Sequence, residues 1–314
     1  MDMTAPLIAT AAAPIPPRGG AEWITGFGGA RLRAALFAPE GTPRGSVVLS
    51  PGRTEVIEKY FEVVGELTAR GFVVLVHDWR GQGMSHRALP DRLKGHAIGY
   101  RDFLEDYDLL LAAFEARLPK PWIAVGHSMG GCLTALALAH GQASHFAGAV
   151  LSAPMLGLAA ARRMAGARLL AWISARFRSG GYVFGQPGDP FGSDFASNSL
   201  THDPARFARQ CGQVAECRDL ALGAPTWGWL DFAFTATGWL ARPQNAARIA
   251  LPLTIVAAGD DKLVDNDGSR RLAAQAPDAR YVEIPGAYHE IMMETDDVRA
   301  VWWREFDDLA ARIS

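Results

Sequence analysis

Cysteine is scarce in this chain: Cys132, Cys211 and Cys217 are the only three in 314 residues. Their number is odd and no two have the paired spacing of a metal knuckle, so neither a disulfide framework nor a cysteine-based zinc site is expected. Three reduced thiols suit a cytosol-like compartment, and the expected location is cytoplasmic. Charge of one sign is also missing, with 31 Lys and Arg against 33 Asp and Glu for a formal net charge of −2. Nucleic-acid recognition starts from a basic surface, so no nucleic-acid partner is expected. No stretch reaches 18 uninterrupted apolar residues, which excludes a spanning helix. The N-terminus has Asp2 in place of a basic n-region, and Pro14, Pro16 and Pro17 interrupt the Ala/Pro-rich run 5–17. Residues 1–21 therefore read as a flexible or extended arm rather than a signal peptide.

What remains is ordinary for a globular protein: 49% hydrophobic and 20% charged residues, enough for a large core. Glu22 to Ala38 alternates around Gly26-Phe27-Gly28-Gly29 as a hairpin would. Ser46–Ser50 is a short buried strand, followed by a helical pattern over Ile57–Ala69 that ends at Gly71. Phe72–Val76 is a continuous apolar run of the kind a parallel sheet buries on both faces. Phe103–Leu118 is helical, Trp122–Val125 and Ala147–Leu151 are strands, and Cys132–Ala139 between them is a helix. From 156 to 246 no strand–helix alternation is legible. Regularity returns with strand Leu253–Ala258, a helix, strand Tyr281–Ile284 and a helix over Asp297–Arg312. The expected fold is α/β, a mostly parallel central sheet with helices on both faces. Its core comprises 22–155 and 247–314, and 156–246 form a mainly helical cap insertion.

Residues 126–130 read Gly-His-Ser-Met-Gly between the strand and the Ala/Leu-rich helix. G-x-S-x-G in a strand–turn–helix context places a serine on a sharp turn, with its hydroxyl above the sheet. Ser128 is thus the expected nucleophile. The Met129 N–H, at the start of the helix, is an expected oxyanion donor. A serine hydroxyl needs a histidine to take its proton and an acid to orient that histidine. On this architecture acid and histidine follow in that order, on loops after late strands. The histidine is His289, in Pro285-Gly286-Ala287-Tyr288-His289-Glu290, the only histidine in the last hundred residues. The acid has three candidates after strand 253–258: Asp261 first, Asp265 second, and Asp260. The loop Pro51-Gly52-Arg53-Thr54-Glu55 after the early strand offers the Arg53 N–H as the second oxyanion donor. The stretch His77–Ser85 reads as a rigid loop shaping the floor of the site, with no chemistry of its own.

Several of these segments together resemble the monoacylglycerol lipase and lysophospholipase group of α/β-hydrolases, most closely its bacterial lysophospholipase L2 type. They are Pro51–Glu55 with Lys59-Tyr60, His77–Ser85, Gly95-His96, Asp102–Tyr107, Gly126–Gly131 and Ala153–Met155. Leu200–His202, Gly223–Thr226, Val264–Asn266 and Gly286–Glu290 complete the set. The resemblance implies Ser128, Asp261 and His289 as a catalytic triad with oxyanion donors at Arg53 and Met129. It also implies a serine hydrolase that cleaves the ester of a lysophospholipid or monoacylglycerol through an acyl-enzyme, with no cofactor and no metal. No obligate protein partner is evident.

Substrate choice would lie in the insertion, which carries Trp172, Trp227, Trp229, Trp239, Phe177, Phe184, Phe232 and Phe234. Such a cap fits an acyl chain, although at least half of these rings are expected to pack the cap's own core. Leu158–Arg178 places Arg162, Arg163, Arg168, Arg176 and Arg178 among alanines and leucines. That pattern suits either peripheral contact with anionic lipid at the inner membrane face or a solvated charged face. A small-ester carboxylesterase and an acyltransferase share the triad and remain alternatives. A ligand-binding, non-catalytic member of the fold is a third, and a dehalogenase would need a carboxylate where Ser128 stands.

Overall fold

The computed structural model describes residues 3–159, 166–185 and 194–313. Nine strands in this part form one sheet: β1 (Thr4–Ala5), β2 (Gly19–Thr25), β3 (Arg31–Phe37), β4 (Gly45–Ser50), β5 (Phe72–His77), β6 (Trp122–His127), β7 (Gly148–Ser152), β8 (Leu253–Ala258) and β9 (Ala279–Ile284). Their order is β1-β2-β3-β5-β4-β6-β7-β8-β9. The first three strands and the β3–β5 pairing are antiparallel. From β5 to β9 every pairing is parallel. Strands β4, β5, β6 and β8 are buried along their whole length, which is why they read as unbroken apolar runs.

Helices α1 (Phe61–Ala69), α2 (Arg101–Phe114), α3 (Ser128–His140), α4 (Ala167–Arg178), α5 (Pro204–Glu216), α6 (Trp227–Leu240), α7 (Pro243–Ala246), α8 (Asn266–Gln275) and α9 (Asp296–Ile313) complete the chain. Two apolar layers flank the sheet. One holds Phe103 and Leu110 of α2, Leu133 and Leu136 of α3 and Leu272 of α8. The other joins Phe61 and Val64 of α1 to Trp302 and Phe306 of α9. In-register pairing sets Ser50 beside Gly126, and Ala258 beside Ile284. The loops that follow β4, β6, β8 and β9 therefore emerge together at the carboxyl edge of the sheet, where open α/β sheets bind ligands.

Helices α4 to α7 lie between β7 and β8, in the stretch expected to be a cap. They are not all a roof. Phe232 of α6 is completely buried and stacks on Phe103 of α2 at 5.2 Å, so α6 belongs as much to the main core as to the insertion. The N-terminal segment departs from the flexible arm the sequence suggested. Ala5 pairs with Ala21 at the sheet edge, and Ala5 and Ala13 are buried. The Ile8 N–H donates to Glu58 at 3.2 Å, and the Pro6 carbonyl accepts from Arg33 at 3.1 Å. Prolines bar a helix there but not an extended edge segment held by side chains of the core.

Candidate active site

Ser128 sits between β6 and α3 with φ at +51°, in the left-handed region that a non-glycine residue adopts only when its surroundings impose it. Its neighbours explain the imposition. A Cβ at position 130 would come within 2.1 Å of the Ser50 carbonyl oxygen, so only glycine lets α3 start this close to β4. The Ser128 Oγ lies 2.9 Å from His289 Nε2, and His289 Nδ1 lies 2.6 Å from an oxygen of Asp261. The other Asp261 oxygen accepts the N–H groups of Leu263 and Val264 at 2.8 and 3.0 Å. Burial alone would push this carboxyl up, but the hydrogen bond and charge of His289, with the two N–H groups, hold it below its usual value.

The three candidate acids are thereby separated. Asp260 is exposed and uses its main chain to bind Ala287. Asp265 caps α8, accepting the Asp267 N–H at 3.1 Å. Of the three, only Asp261 reaches His289.

The loop after β4 is fixed by residues whose part the sequence did not disclose. Gln82 accepts the Thr54 N–H at 2.9 Å and donates to the Gly52 carbonyl at 2.8 Å, pinning the main chain on both sides of Arg53. Thr54 itself has φ at +64°. Gln82 is buried, in the loop read only as a floor, and nothing in its spacing marks a partner nearly thirty residues earlier. Beneath lies a buried charged cluster. Glu55 accepts from the Gly52 N–H, from Tyr60 at 2.6 Å, from Lys59 at 2.7 Å and from His127 Nδ1 at 3.0 Å. Lys59 also reaches Glu290 at 2.5 Å. Burial opposes charge on Glu55, yet His127 and Lys59 hold its carboxyl well below the ordinary range. Burial likewise opposes protonation of His127, and Glu55 more than offsets it, raising the imidazole. On the other side of the serine, Met129 is buried in the first turn of α3. Four residues back from it is Val125 in β6, so its N–H has no acceptor within the helix.

Above Ser128 and His289 opens a cavity of about 410 Å³. Met155, Leu158, Leu170, Trp227, Trp229 and Phe234 supply much of its wall, and Leu170 belongs to α4. Among the described residues, no group of three or more His, Cys, Asp or Glu side chains is placed to hold a metal ion.

A mostly parallel sheet, a serine on a strained strand-to-helix turn and an aspartate and histidine from the ends of the last two strands together define an α/β-hydrolase. Residues 41–296 match the family described as serine aminopeptidase, S33, and the chain belongs to it. It is 36% identical over 270 residues to lysophospholipase L2 of Escherichia coli, covering 81% of this chain and 77% of that protein. It is 27% identical to the monoacylglycerol lipase of Mycolicibacterium smegmatis, over 87% of this chain and 91% of the relative. In three dimensions it is similar to a soluble variant of monoglyceride lipase from Saccharomyces cerevisiae, with a TM-score of 0.76 at 20% identity over 99% of both chains. That last likeness is one of fold.

Proposed function

We propose that this protein is a serine hydrolase that cleaves the carboxylic ester of a lipid, a lysophospholipid or monoacylglycerol, through an acyl-enzyme. The single observation that carries the reading is the line Ser128–His289–Asp261 at the floor of an apolar cavity. His289 Nε2 takes the Ser128 proton as Oγ attacks the ester carbonyl, and the Arg53 and Met129 N–H groups stabilise the oxyanion. His289 then returns the proton to the departing glycerol oxygen, and a water repeats the sequence to release the fatty acid. Asp261 keeps the imidazole proton on Nδ1, so that Nε2 is free to accept.

The lipases named above support a lipid substrate over a peptide, and so does the cavity. An aminopeptidase binds a free ammonium, which calls for an uncommitted carboxylate. The cavity's two acids, Glu55 and Glu290, are both engaged by Lys59. We read 156–246 as the lid and α4 as its membrane-facing helix. Trp172 and Phe177 of α4, with Phe184 beyond it, are exposed, Phe177 by 84%. Arg176 lies over the Trp172 ring at 5.2 Å, a combination suited to anionic lipid. Arg162 and Arg163, counted in the same basic pattern, lie outside the described residues. No helix among those described is long and apolar enough to cross a membrane, so contact would be peripheral. The proposed cytoplasmic location rests on the three free cysteines.

Labelling with a fluorophosphonate probe tests the chemistry, and Ser128→Ala should abolish both labelling and hydrolysis, by roughly four to six orders of magnitude. Competition among lysophosphatidylcholine, monoacylglycerol and short p-nitrophenyl esters tests the substrate class. Labelling that survives in Ser128→Ala would move the nucleophile elsewhere.

A further inference from the structure

Buried cations in this protein are given acids. Arg33 lies between Glu58 and Asp78 at 2.7 and 2.8 Å, and Lys59 lies between Glu55 and Glu290. Two half-buried arginines among those described are given none: Arg87, held by main-chain carbonyls and not among the residues lining the cavity, and Arg53. It lines the cavity above Ser128, and no carboxylate among the described residues lies within ion-pair distance of it. Its Nη2 donates to the Gly223 main-chain carbonyl. Its Nε is shut off from solvent without a hydrogen-bond partner, and the guanidinium lies 5.3 Å over the Trp229 ring. It passes close to Gly95, where a Cβ would come within 2.8 Å of Nη2. Burial draws its pKa down only to about 10, so it stays protonated at neutral pH.

A half-buried guanidinium without a carboxylate partner favours an anion beside it, and its N–H fork fits the paired oxygens of a phosphate or carboxylate. The second cation at the cavity, Lys262, is exposed near the Tyr288 ring. Glu55 and Glu290 share Lys59, and Glu55 also holds His127, so among the described residues the charged groups at the cavity without an ion partner are the cations Arg53 and Lys262. A neutral monoacylglycerol would leave Arg53 unanswered, whereas an acyl glycerophospholipid brings a phosphate on the alcohol side of its ester.

We propose that the Arg53 side chain is a specificity-determining residue that binds the phosphate of a lysophospholipid headgroup, so that the site favours acyl glycerophospholipids over monoacylglycerols of equal chain length. The proposal rests on the lipid-ester reading above and assigns the Arg53 side chain a role separate from that of its main-chain N–H.

The test compares wild type with Arg53→Met, Arg53→Gln and the charge-retaining Arg53→Lys, each checked for an unchanged melting profile. The ratio of kcat/KM for 1-acyl-lysophosphatidylglycerol to that for the matching 1-monoacylglycerol, both below micelle formation, should fall about 10- to 100-fold in Arg53→Met and Arg53→Gln. Arg53→Lys should retain most of the preference. Competitive inhibition gives a readout independent of turnover, using a non-hydrolysable 1-O-alkyl-glycerophosphate, the corresponding 1-O-alkylglycerol, a free fatty acid of equal length and inorganic phosphate. The alkyl-glycerophosphate should lose its advantage over the alkylglycerol in Arg53→Met. Ratios that stay the same in all variants would overturn the proposal. So would a selective loss of fatty-acid inhibition, which would assign Arg53 to the product carboxylate, or of inorganic phosphate inhibition alone, which would mean a free-anion site. A wild type that binds these probes with the expected preference yet hydrolyses neither lipid would instead defeat the lipid-ester reading and leave the role of Arg53 standing.

Discussion

The ring of His127 joins the nucleophile to the loop of the base: its Nε2 lies 3.2 Å from the main-chain oxygen of His289. Its Nδ1 is held by Glu55, which also gathers the Gly52 N–H of the loop after β4. Three loops from three strand ends are thus tied below the cavity by one buried cluster, in which Lys59 bridges Glu55 and Glu290. Catalytic geometry set this way depends on side chains that never meet the substrate.

Disturbing that cluster should therefore damage turnover more than binding. Glu55→Gln and Lys59→Met are each expected to lower kcat roughly 10- to 100-fold with little change in KM, because small misplacements of the reacting groups are expensive in rate. Steady-state kinetics on a soluble p-nitrophenyl ester would show it. Equal losses in kcat and a melting point lowered to the assay temperature would point to unfolding instead.

The acid assignment predicts unequal effects of two similar substitutions. Asp261→Asn should cost roughly 10³- to 10⁴-fold in kcat, since the amide favours the wrong histidine tautomer. Asp265→Asn should change kcat by less than about tenfold, because asparagine also caps helices well. The reverse ranking would make Asp265 the acid.

Acid should loosen the junction between α5 and the core. Burial works to raise the Glu62 carboxyl, but the hydrogen bond from Arg206 and the charges of Arg299 and Arg209 overcome it and pull it down to about 2. A carboxylate depressed on folding contributes stability that is present above its unfolded value, near 4.3, and is lost as pH falls through the folded one. Glu62→Gln should melt below wild type at pH 7, and the gap should close between about pH 4.3 and 2. Melting curves at low salt across that range would measure it; a gap constant with pH would exclude the ionic account.

Acyl chains should gain from the cavity as they lengthen. Each buried methylene is worth up to about 0.8 kcal/mol, roughly fourfold in kcat/KM, until the space is filled. We expect kcat/KM to rise from C4 to at least C8 for monomeric p-nitrophenyl esters. A maximum at C2 or C4 would favour the small-ester alternative.

Membrane contact through α4 has its own check. Phe177→Glu combined with Trp172→Ala should lower binding to phosphatidylglycerol vesicles about tenfold or more, with activity on a monomeric ester retained. Sedimentation with vesicles would report it, and unchanged binding would remove α4 from that role.

Much of this was legible in the sequence for simple reasons. Buried strands such as Phe72–His77 announce themselves as apolar runs, and the glycines around Ser128 mark a turn that tolerates no Cβ. The residues alone ranked Asp261 ahead of Asp265 without separating them, because both follow β8 at similar distances. Only the three-dimensional turn shows which faces His289. What holds the N-terminal segment was not legible, because Arg33 and Glu58 lie far along the chain. Gln82 was passed over because a lone glutamine between glycines carries no period and no motif. The aromatics of the insertion divided in a way composition cannot foretell: Phe232 went to the core, Trp227, Trp229 and Phe234 to the cavity, and Trp172, Phe177 and Phe184 to solvent.

The segment between β7 and β8 is fastened to two loops of the site. Midway along it the Glu290 N–H donates to the Leu200 carbonyl at 2.8 Å, and Thr201 donates to the Met293 carbonyl. His202 is gripped by Glu294, which also holds the Tyr288 N–H. Whatever displaces 200–203 therefore displaces the residue beside His289, the proposed base, and lifting this segment would disarm the proposed site. On the side carrying α4, the Ala159 N–H donates to the Leu263 carbonyl at 3.1 Å and the Gly157 carbonyl accepts the Asp265 N–H at 3.0 Å, so that side is tied to the loop of Asp261. On the proposed reading, an opening that keeps the serine armed must therefore leave both 157–159 and 200–203 in place.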